Sequence, residues 1–391
     1  MNILADSNIL YAKEAFSAFG MVTLIDGRSI TRERLETMDV LLVRSITPVT
    51  RQLLENTQVK FVASATIGTD HVDLDFLRDS NIGFAHAPGS NANSVAEYIV
   101  SALVHLAQKK QRDFSGMTLG IIGAGNVGSR VYAMAQALGM RTLLNDPPKK
   151  AMTQSDIYIP LSNLLAESDI VTVHVPLTAA GADATFHLAN DAFFGAMKRG
   201  AFFLNTSRGD VVDETSLRHV RQRLSGVALD VWSGEPRPHA ATIAAFDVAT
   251  PHIAGYSYDG KVAGTDMIHS AMAAYFFADA EKAWMPPEAQ AEQKKIVLDA
   301  PGAPGAPDVT KSQDVIFAAV KAAYPIMEDD ARFRKILDKD ADKQAAFFDE
   351  LRREYPKRLE FRNYLVSVPK KCPPAIVTEL SSLGFKVSAS L

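Results

Sequence analysis

The chain has 391 residues, 47% hydrophobic and 22% charged, with a net charge of −4, enough for two or three domains with buried cores. That charge gives no general pull toward nucleic acid or an anionic membrane surface, and no apolar run approaches the ~20 residues that span a bilayer. Cys372 is the single cysteine, which excludes an intrachain disulfide, and MNILADSN lacks the basic start and apolar core of a secretory signal, so a cytoplasmic protein is expected.

In chain order, MNILAD, VTLID, VLLVRS and KFVASAT read as buried strands, with a helix at about 9–19 after the first. Strands alternating with helix-like segments predict a parallel sheet covered on both faces. SVAEYIVSALVHLAQKK is a long helix, with Val95, Ile99, Ala102, Leu103 and Leu106 on one face. A second alternating series follows. MTLGIIG is a strand, VGSRVYAMAQALG a helix capped by Gly139, and RTLLND, DIVTVHVP, GAFFLNTS, GVALDVW and DVATPHI continue a second sheet. Residues 286–310 are rich in Pro, Ala and Gly and read as a linker with one short strand, IVLD. Residues 311–391 form a small closing pattern: VIFAAVKAAY helical, YLVSV a strand, PAIVTELSSLG helical and FKVSAS a strand. The fold class expected is α/β, with two doubly wound parallel-sheet domains of Rossmann or flavodoxin-like kind plus a small α+β C-terminal domain.

GIIGAGNVGSR places Gly123, Gly125 and Gly128 in a Gly-x-Gly-x-x-Gly run between a strand and a helix. The first glycine permits the tight turn, the second lets backbone approach a pyrophosphate, and the third lets helix and strand pack closely. Asn126 and Val127 open the helix, where unpaired N–H groups and partial positive charge favour phosphate. Asp146 ends the next strand, where a carboxylate can hold both ribose hydroxyls. NAD is therefore the expected cofactor, although Lys149 and Lys150 follow closely.

With NAD in place, hydride transfer is the expected chemistry. Oxidising an alcohol needs a base for the hydroxyl proton and a cation for developing oxyanion or carboxylate charge. His252 in TPHIAGY suits the base, Glu235 in DVWSGEP its carboxylate partner, and Arg208 in NTSRGD the cation. All three lie at the carboxyl ends of predicted strands, where open α/β sheets build their sites. GTDHVDLD clusters Asp70, His71, Asp73 and Asp75 but reads as a turn and helix cap, so no metal site is expected. His174 reads as structural or as a neighbour of the cofactor.

Together, GAGNVG, NTSRGDVVDE, DVWSGEP and TPHIAGY resemble the D-2-hydroxyacid dehydrogenases over residues 1–283. The resemblance implies Arg208, Glu235 and His252 as the catalytic set, with His252 the acid/base. It also implies a discontinuous substrate-binding domain, 1–92 with 255–285, around an NAD-binding domain at 93–254. A narrower resemblance is to a subgroup that oxidises a four-carbon phosphorylated hydroxy acid and carries an extra dimerisation domain, here 311–391. Its stretches are LLVRSIT, ATIGTDHVD, NDPP, HIAGYSYDGKVAGT and the charged C-terminal run through SSLGF. By that resemblance Ser45, Thr66 and Tyr256 contact substrate, while Asp146, Asp230, Val175 and the Gly255 backbone contact NAD. Val175 stands where threonine is expected, so only a backbone contact would survive there. A phosphate needs cations. Arg44 is the first candidate, and Arg352, Arg353, Lys357 and Arg358 are a second whose alternative is a solvated helix face. The partners expected are this substrate and a second copy of the chain. A phosphoglycerate or hydroxypyruvate type of the same family, or an NAD-sensing protein without turnover, are the competing readings.

Overall fold

The computed structural model describes residues 1–277, 284–286, 294–298, 308 and 311–389. The chain divides into two compact units, Met1–Ala92 with Tyr256–Gln290, and Asn93–Gly255 with Ala291–Leu391.

The first unit holds a five-stranded sheet of β1 (Asn2–Asp6), β2 (Met21–Ile25), β3 (Val40–Val43), β4 (Phe61–Ser64) and β5 (Gly83–His86). All neighbours are parallel, in the order β2-β1-β3-β4-β5. The sequence reading finds the first four strands and misses β5. GFAH has no apolar run, and its side chains are only half-buried at the sheet edge. The helix expected at 9–19 is shorter, Ala12–Phe16. Asp73 caps the helix Leu74–Asp79 by accepting from the Phe76 amide at 3.0 Å, which fits the helix-cap reading of GTDHVDLD. A later helix, Tyr258–Phe276, returns to cover this sheet, and its Ile268 and Met272 join Ile3, Val40, Leu42 and Phe61 in one apolar core. The helix sits close enough that a Cβ on Gly264 would lie 2.9 Å from the Ala65 carbonyl oxygen.

The second unit holds β6 (Thr118–Ile122), β7 (Arg141–Asn145), β8 (Ile170–Val173), β9 (Phe202–Asn205), β10 (Gly226–Leu229) and β11 (Val248–Ala249). These six are also parallel, in the order β11-β10-β9-β8-β6-β7. The order in which successive strands are added reverses between β6 and β8, and such a switch point opens a crevice at the carboxyl ends of the strands. Apolar side chains such as Val171, Val173, Phe203, Val227 and Leu229 fill the core beneath. Phe194 meets Phe203 edge-on, with centroids 5.2 Å apart.

The same unit carries the C-terminal module. Its strands β12 (Lys294–Val297), β13 (Tyr364–Val368) and β14 (Lys386–Ala389) are parallel too, with helices Ser312–Ala323, Ile326–Arg334, Ala341–Arg353 and Pro374–Ser382 between them. The charged run is thus largely helical from residue 329 to residue 353. Most of the expected linker 286–310 lies outside the described residues, as do 390–391; the expected strand IVLD corresponds to β12, shifted two residues toward the N-terminus. Among the described residues no helix is long and apolar enough to cross a membrane.

Candidate active site

The glycine turn follows β6 and opens the helix Asn126–Ala137. Gly123 has φ +87, and a Cβ there would fall 2.4 Å from the His174 carbonyl oxygen. A Cβ on Gly128 would fall 2.0 Å from the Gly123 carbonyl oxygen, whereas one on Gly125 would meet nothing within 4 Å. Two glycines are therefore needed for packing, and the third borders open space. No side chain caps the helix at Gly125, so the first-turn N–H groups at Asn126, Val127 and Gly128 face a place where no capping oxygen sits. Asp146 closes the far side of the turn. Its Oδ2 accepts from the Ala124 amide at 2.9 Å and its Oδ1 from the Lys149 amide at 3.0 Å, while Lys149 Nζ donates to the Ala124 carbonyl at 2.6 Å. This cradle, with its open glycine, uncapped amides and terminal carboxylate, fits a dinucleotide. Val175 packs beside it, its Cγ1 2.9 Å from the same virtual Cβ of Gly123.

His252 Nδ1 lies 2.7 Å from Glu235 Oε2, and both side chains are partly exposed. A ring that donates through Nδ1 to a carboxylate presents the lone pair of Nε2. Burial alone would raise the Glu235 carboxyl. The His252 charge and hydrogen bond, the Arg352 guanidinium and the Trp232 amide outweigh it and hold the group below the ordinary carboxylate range. The turn that carries His252 is organised by Asp230, which is only 1% exposed. The Asp230 carbonyl accepts from the His252 amide at 2.7 Å. Its Oδ1 accepts from Thr250 Oγ1 at 2.6 Å and the Ile253 amide at 2.8 Å, and its Oδ2 from the Ala254 amide at 2.8 Å. Burial pushes this carboxyl up to about 6, against the His252 charge and those hydrogen bonds. Expected as a cofactor contact, Asp230 thus gives most of its acceptor capacity to the chain itself. Gly255 follows directly on this turn.

Arg208 begins the short turn after β9. Asn205 sets its path, with Nδ2 donating to the Arg208 carbonyl at 2.9 Å and Oδ1 accepting from the Ser207 amide and hydroxyl. Gly209 lets this turn press on the Glu235 turn, since a Cβ there would lie 2.0 Å from the Trp232 carbonyl. Ser233 ties the two together, donating from its hydroxyl to Asp210 at 2.6 Å and from its amide to Glu214 at 2.8 Å. The half-buried His174 stands nearby in sequence order after β8. Its Nε2 lies 2.9 Å from Thr172 Oγ1, and desolvation holds it down to about 3, so the ring is neutral.

In the first unit, Arg44 Nη1 donates to the Asn8 carbonyl at 3.1 Å, and its guanidinium lies 5.1 Å from the Tyr256 ring centroid. The Lys261 ammonium lies 4.8 Å from the same centroid. Ser45 is exposed beside Arg44, and Thr66 forms a separate chain, Thr66 to Ser64 Oγ at 2.7 Å and on to His71 Nε2 at 3.1 Å. No cluster of three metal-ligating side chains occurs among the described residues. Sequence reasoning missed Lys261, Asn205 and the organising role of Asp230. A signal for Lys261 was its place in the first turns of the helix that Tyr256 precedes. Of the basic run considered for phosphate, Arg358 is buried against backbone carbonyls and the Tyr324 ring, which is not a free cation's position.

A histidine–carboxylate pair and an arginine on strand ends beside a dinucleotide cradle define an NAD-dependent dehydrogenase of hydroxy acids. Residues 93–254 match the family model for the D-isomer specific 2-hydroxyacid dehydrogenase NAD-binding domain, and 307–384 match a domain of unknown function. The erythronate-4-phosphate dehydrogenase of Salinibacter ruber is 42% identical over 99% of this chain and 98% of its own, and that of Chromohalobacter salexigens 39% identical over 100% of each. Among solved structures, D-lactate dehydrogenase from Aquifex aeolicus with NAD and lactic acid superposes with a TM-score of 0.60 at 26% identity, covering 72% of this chain and 97% of that one. The NAD-bound 3-phosphoglycerate dehydrogenase of Entamoeba histolytica shares the fold, with a TM-score of 0.61 at 22% identity over 74% of this chain and 99% of that one. The chain belongs to the erythronate-4-phosphate dehydrogenase family, within the D-isomer specific 2-hydroxyacid dehydrogenases. Its cofactor is NAD.

The glycine geometry separates folding from cofactor binding. Gly125→Ala should keep the melting temperature of the parent and weaken NAD at least about tenfold by titration. Gly128→Ala should lower the melting temperature itself, because its Cβ has no room. Equal melting losses in both would contradict this division.

Proposed function

We propose that the chain oxidises 4-phospho-D-erythronate at carbon 2 to 2-oxo-3-hydroxy-4-phosphobutanoate, a step on the route to pyridoxal 5′-phosphate. The observation that carries the chemistry is the 2.7 Å His252–Glu235 pair at the strand ends of the NAD-binding unit. The substrate follows from relatives that match this chain end to end, the C-terminal module included.

Bound NAD supplies the acceptor for the hydride from carbon 2. The protein supplies the rest. His252 Nε2 takes the proton of the carbon-2 hydroxyl as the C–H bond breaks, so the alcohol becomes a ketone and the imidazole becomes a cation. Glu235 holds the ring through Nδ1 and stabilises that cation. Arg208 receives the carboxylate and the oxygen that gains charge, a task its planar fork suits. Gly123, Gly125, Asn126, Val127, Gly128 and Asp146 hold the dinucleotide, joined by the backbone at Val175 and Gly255 and by the remaining acceptor capacity of Asp230. In the first unit, Ser45, Thr66 and Tyr256 are assigned to the acid, and Arg44 to its phosphate. Lys261 joins Arg44 in that assignment, because two cations that share one aromatic ring concentrate positive charge at one place. We assign residues 1–92 with 255–285 to substrate binding, 93–254 to NAD and 311–391 to dimerisation, in a cytoplasmic enzyme.

The first test is an assay with NAD, a 2-oxo acid as added acceptor, and either 4-phospho-D-erythronate or 3-phospho-D-glycerate, detecting the carbonyl product. Preference for the four-carbon acid is expected, with a loss of about 10²–10⁴ in kcat for His252→Ala. Preference for the three-carbon acid would move the reading to the phosphoglycerate type, and turnover of neither to an NAD sensor. Arg44→Ala and Lys261→Ala should each raise KM for the phosphorylated acid about tenfold and leave NAD affinity unchanged. An unaltered KM in either removes that residue from the phosphate. Sedimentation of the full chain should give twice 42.4 kDa, with inter-subunit crosslinks falling within 311–391; a monomer at micromolar concentration would sink the dimer.

A further inference from the structure

Besides the dimerisation proposed for it, the C-terminal module reaches the turn that carries His252 through its most buried cation among the described residues. Arg358 is 7% exposed. Its Nη2 donates to the carbonyl of Ala254, two residues beyond His252, and at 3.4 Å to that of Ser94 in the helix Ala92–Lys110. Its guanidinium lies 4.4 Å from the Tyr324 ring centroid, and the Tyr324 hydroxyl donates to Asp329 at 2.8 Å. The residues just after it are fastened to the same long helix. Asn93 Nδ2 donates to Glu97 at 2.9 Å and Glu360 at 3.0 Å, Ser94 Oγ donates to Glu360 at 2.8 Å, and the Phe361 amide donates to Glu97 at 2.8 Å.

The module also grips the other flank of the turn. Asp330 Oδ1 accepts from the Ala249 amide at 2.8 Å, three residues before His252. Arg334 donates to Asp330 at 2.7 Å and to the carbonyls of Ile243 and Phe246 at 2.9 and 2.7 Å. Phe333 packs on Trp232 at 5.4 Å, and Trp232 in turn donates its amide to Glu235 Oε1 at 2.9 Å and its indole N–H to the Thr250 carbonyl at 2.8 Å. Residues 249, 250 and 254 are thus tied, directly or through Trp232, to one module, and His252 lies between them.

That bracket matters because His252 has φ +58. A histidine does not favour the left-handed region, and such a residue persists only where its surroundings fix it. We propose that Arg358 is a positioning residue for His252, making the C-terminal module part of the catalytic architecture. The inference rests on His252 being the proton acceptor. Nη2 carries two N–H bonds fixed in the plane of the guanidinium, so it can hold the Ser94 and Ala254 carbonyls in fixed relation, which the freely rotating ammonium of lysine does less well. Arg352 of the same module acts in the same direction, as one of the charges that keep Glu235 ionised against its burial.

The test uses full-length Arg358→Met and Arg358→Lys, with His252→Gln as a control. A misplaced base lowers the chemical step more than binding. Arg358→Met should lose about 10- to 100-fold in kcat, with KM for the acid and the NAD dissociation constant within about threefold of the parent. Arg358→Lys should recover part of the loss. A kcat within twofold of the parent in Arg358→Met overturns the proposal. So does a joint loss of kcat, acid binding, NAD binding and melting temperature, which a purely structural role would give. If Arg358→Met does not fold, Arg358→Lys is judged by the same split, with an intermediate loss in kcat alone expected. Turnover surviving in His252→Gln would instead remove the reading on which the inference stands, a failure distinct from loss of Arg358's role.

Discussion

The backbone at His252 stands in a conformation that histidine does not hold unaided, at a cost of roughly 1–2 kcal/mol. Asp230 is what keeps it there. One residue accepts the His252 amide on its carbonyl and the next two amides on its carboxylate, so three consecutive N–H groups of the turn converge on it. A buried carboxylate without donors would be costly, and a turn without acceptors equally so. Each solves the other's problem. The Glu235 pairing and the direction of Nε2 presuppose this arrangement, and so does the proton transfer proposed for His252.

What the sequence shows and what it hides divide along physical lines. Strands buried on both faces, such as VLLV and FFLN, announce themselves as apolar runs. β5 does not, because an edge strand with half-buried residues has no such signature. The dinucleotide turn is legible because its glycines are demanded by contacts a few residues away, as Gly128 against Gly123 shows. Arg208, Glu235 and His252 are legible as chemical types on strand ends. Their supports are not. Asn205, Asp230 and Arg358 look like any polar residue until the fold brings them to backbone groups up to 264 residues distant. Lys261 belongs to the same class, since only the helix Tyr258–Phe276 turns its ammonium to the Tyr256 ring.

Fold alone would not separate this chain from lactate or phosphoglycerate dehydrogenases, whose fold it shares. The matched relatives that cover this chain end to end include the C-terminal module, whereas the solved structures of those two cover 72% and 74% of the chain. The cation pair at Tyr256 is proposed to bear on which acid is taken, and the module on how firmly the histidine turn is held. A shared fold can carry different substrates through differences in its sites.

The division of the first unit into two stretches of chain carries a consequence for synthesis. Its sheet is complete by His86, yet the helix that seals one face of the core, contributing Ile268 and Met272, is not made until the whole intervening NAD-binding sheet has left the ribosome. At elongation rates of about 5–20 residues per second, that leaves this face of the sheet covered only in part, by the helix Ala12–Phe16, for roughly ten seconds or more. The nascent chain therefore passes through a stage in which the core at its front lacks Ile268 and Met272 while its middle already has the residues of a second sheet. The completion of the first unit's core is thus tied by topology to the synthesis of the second unit.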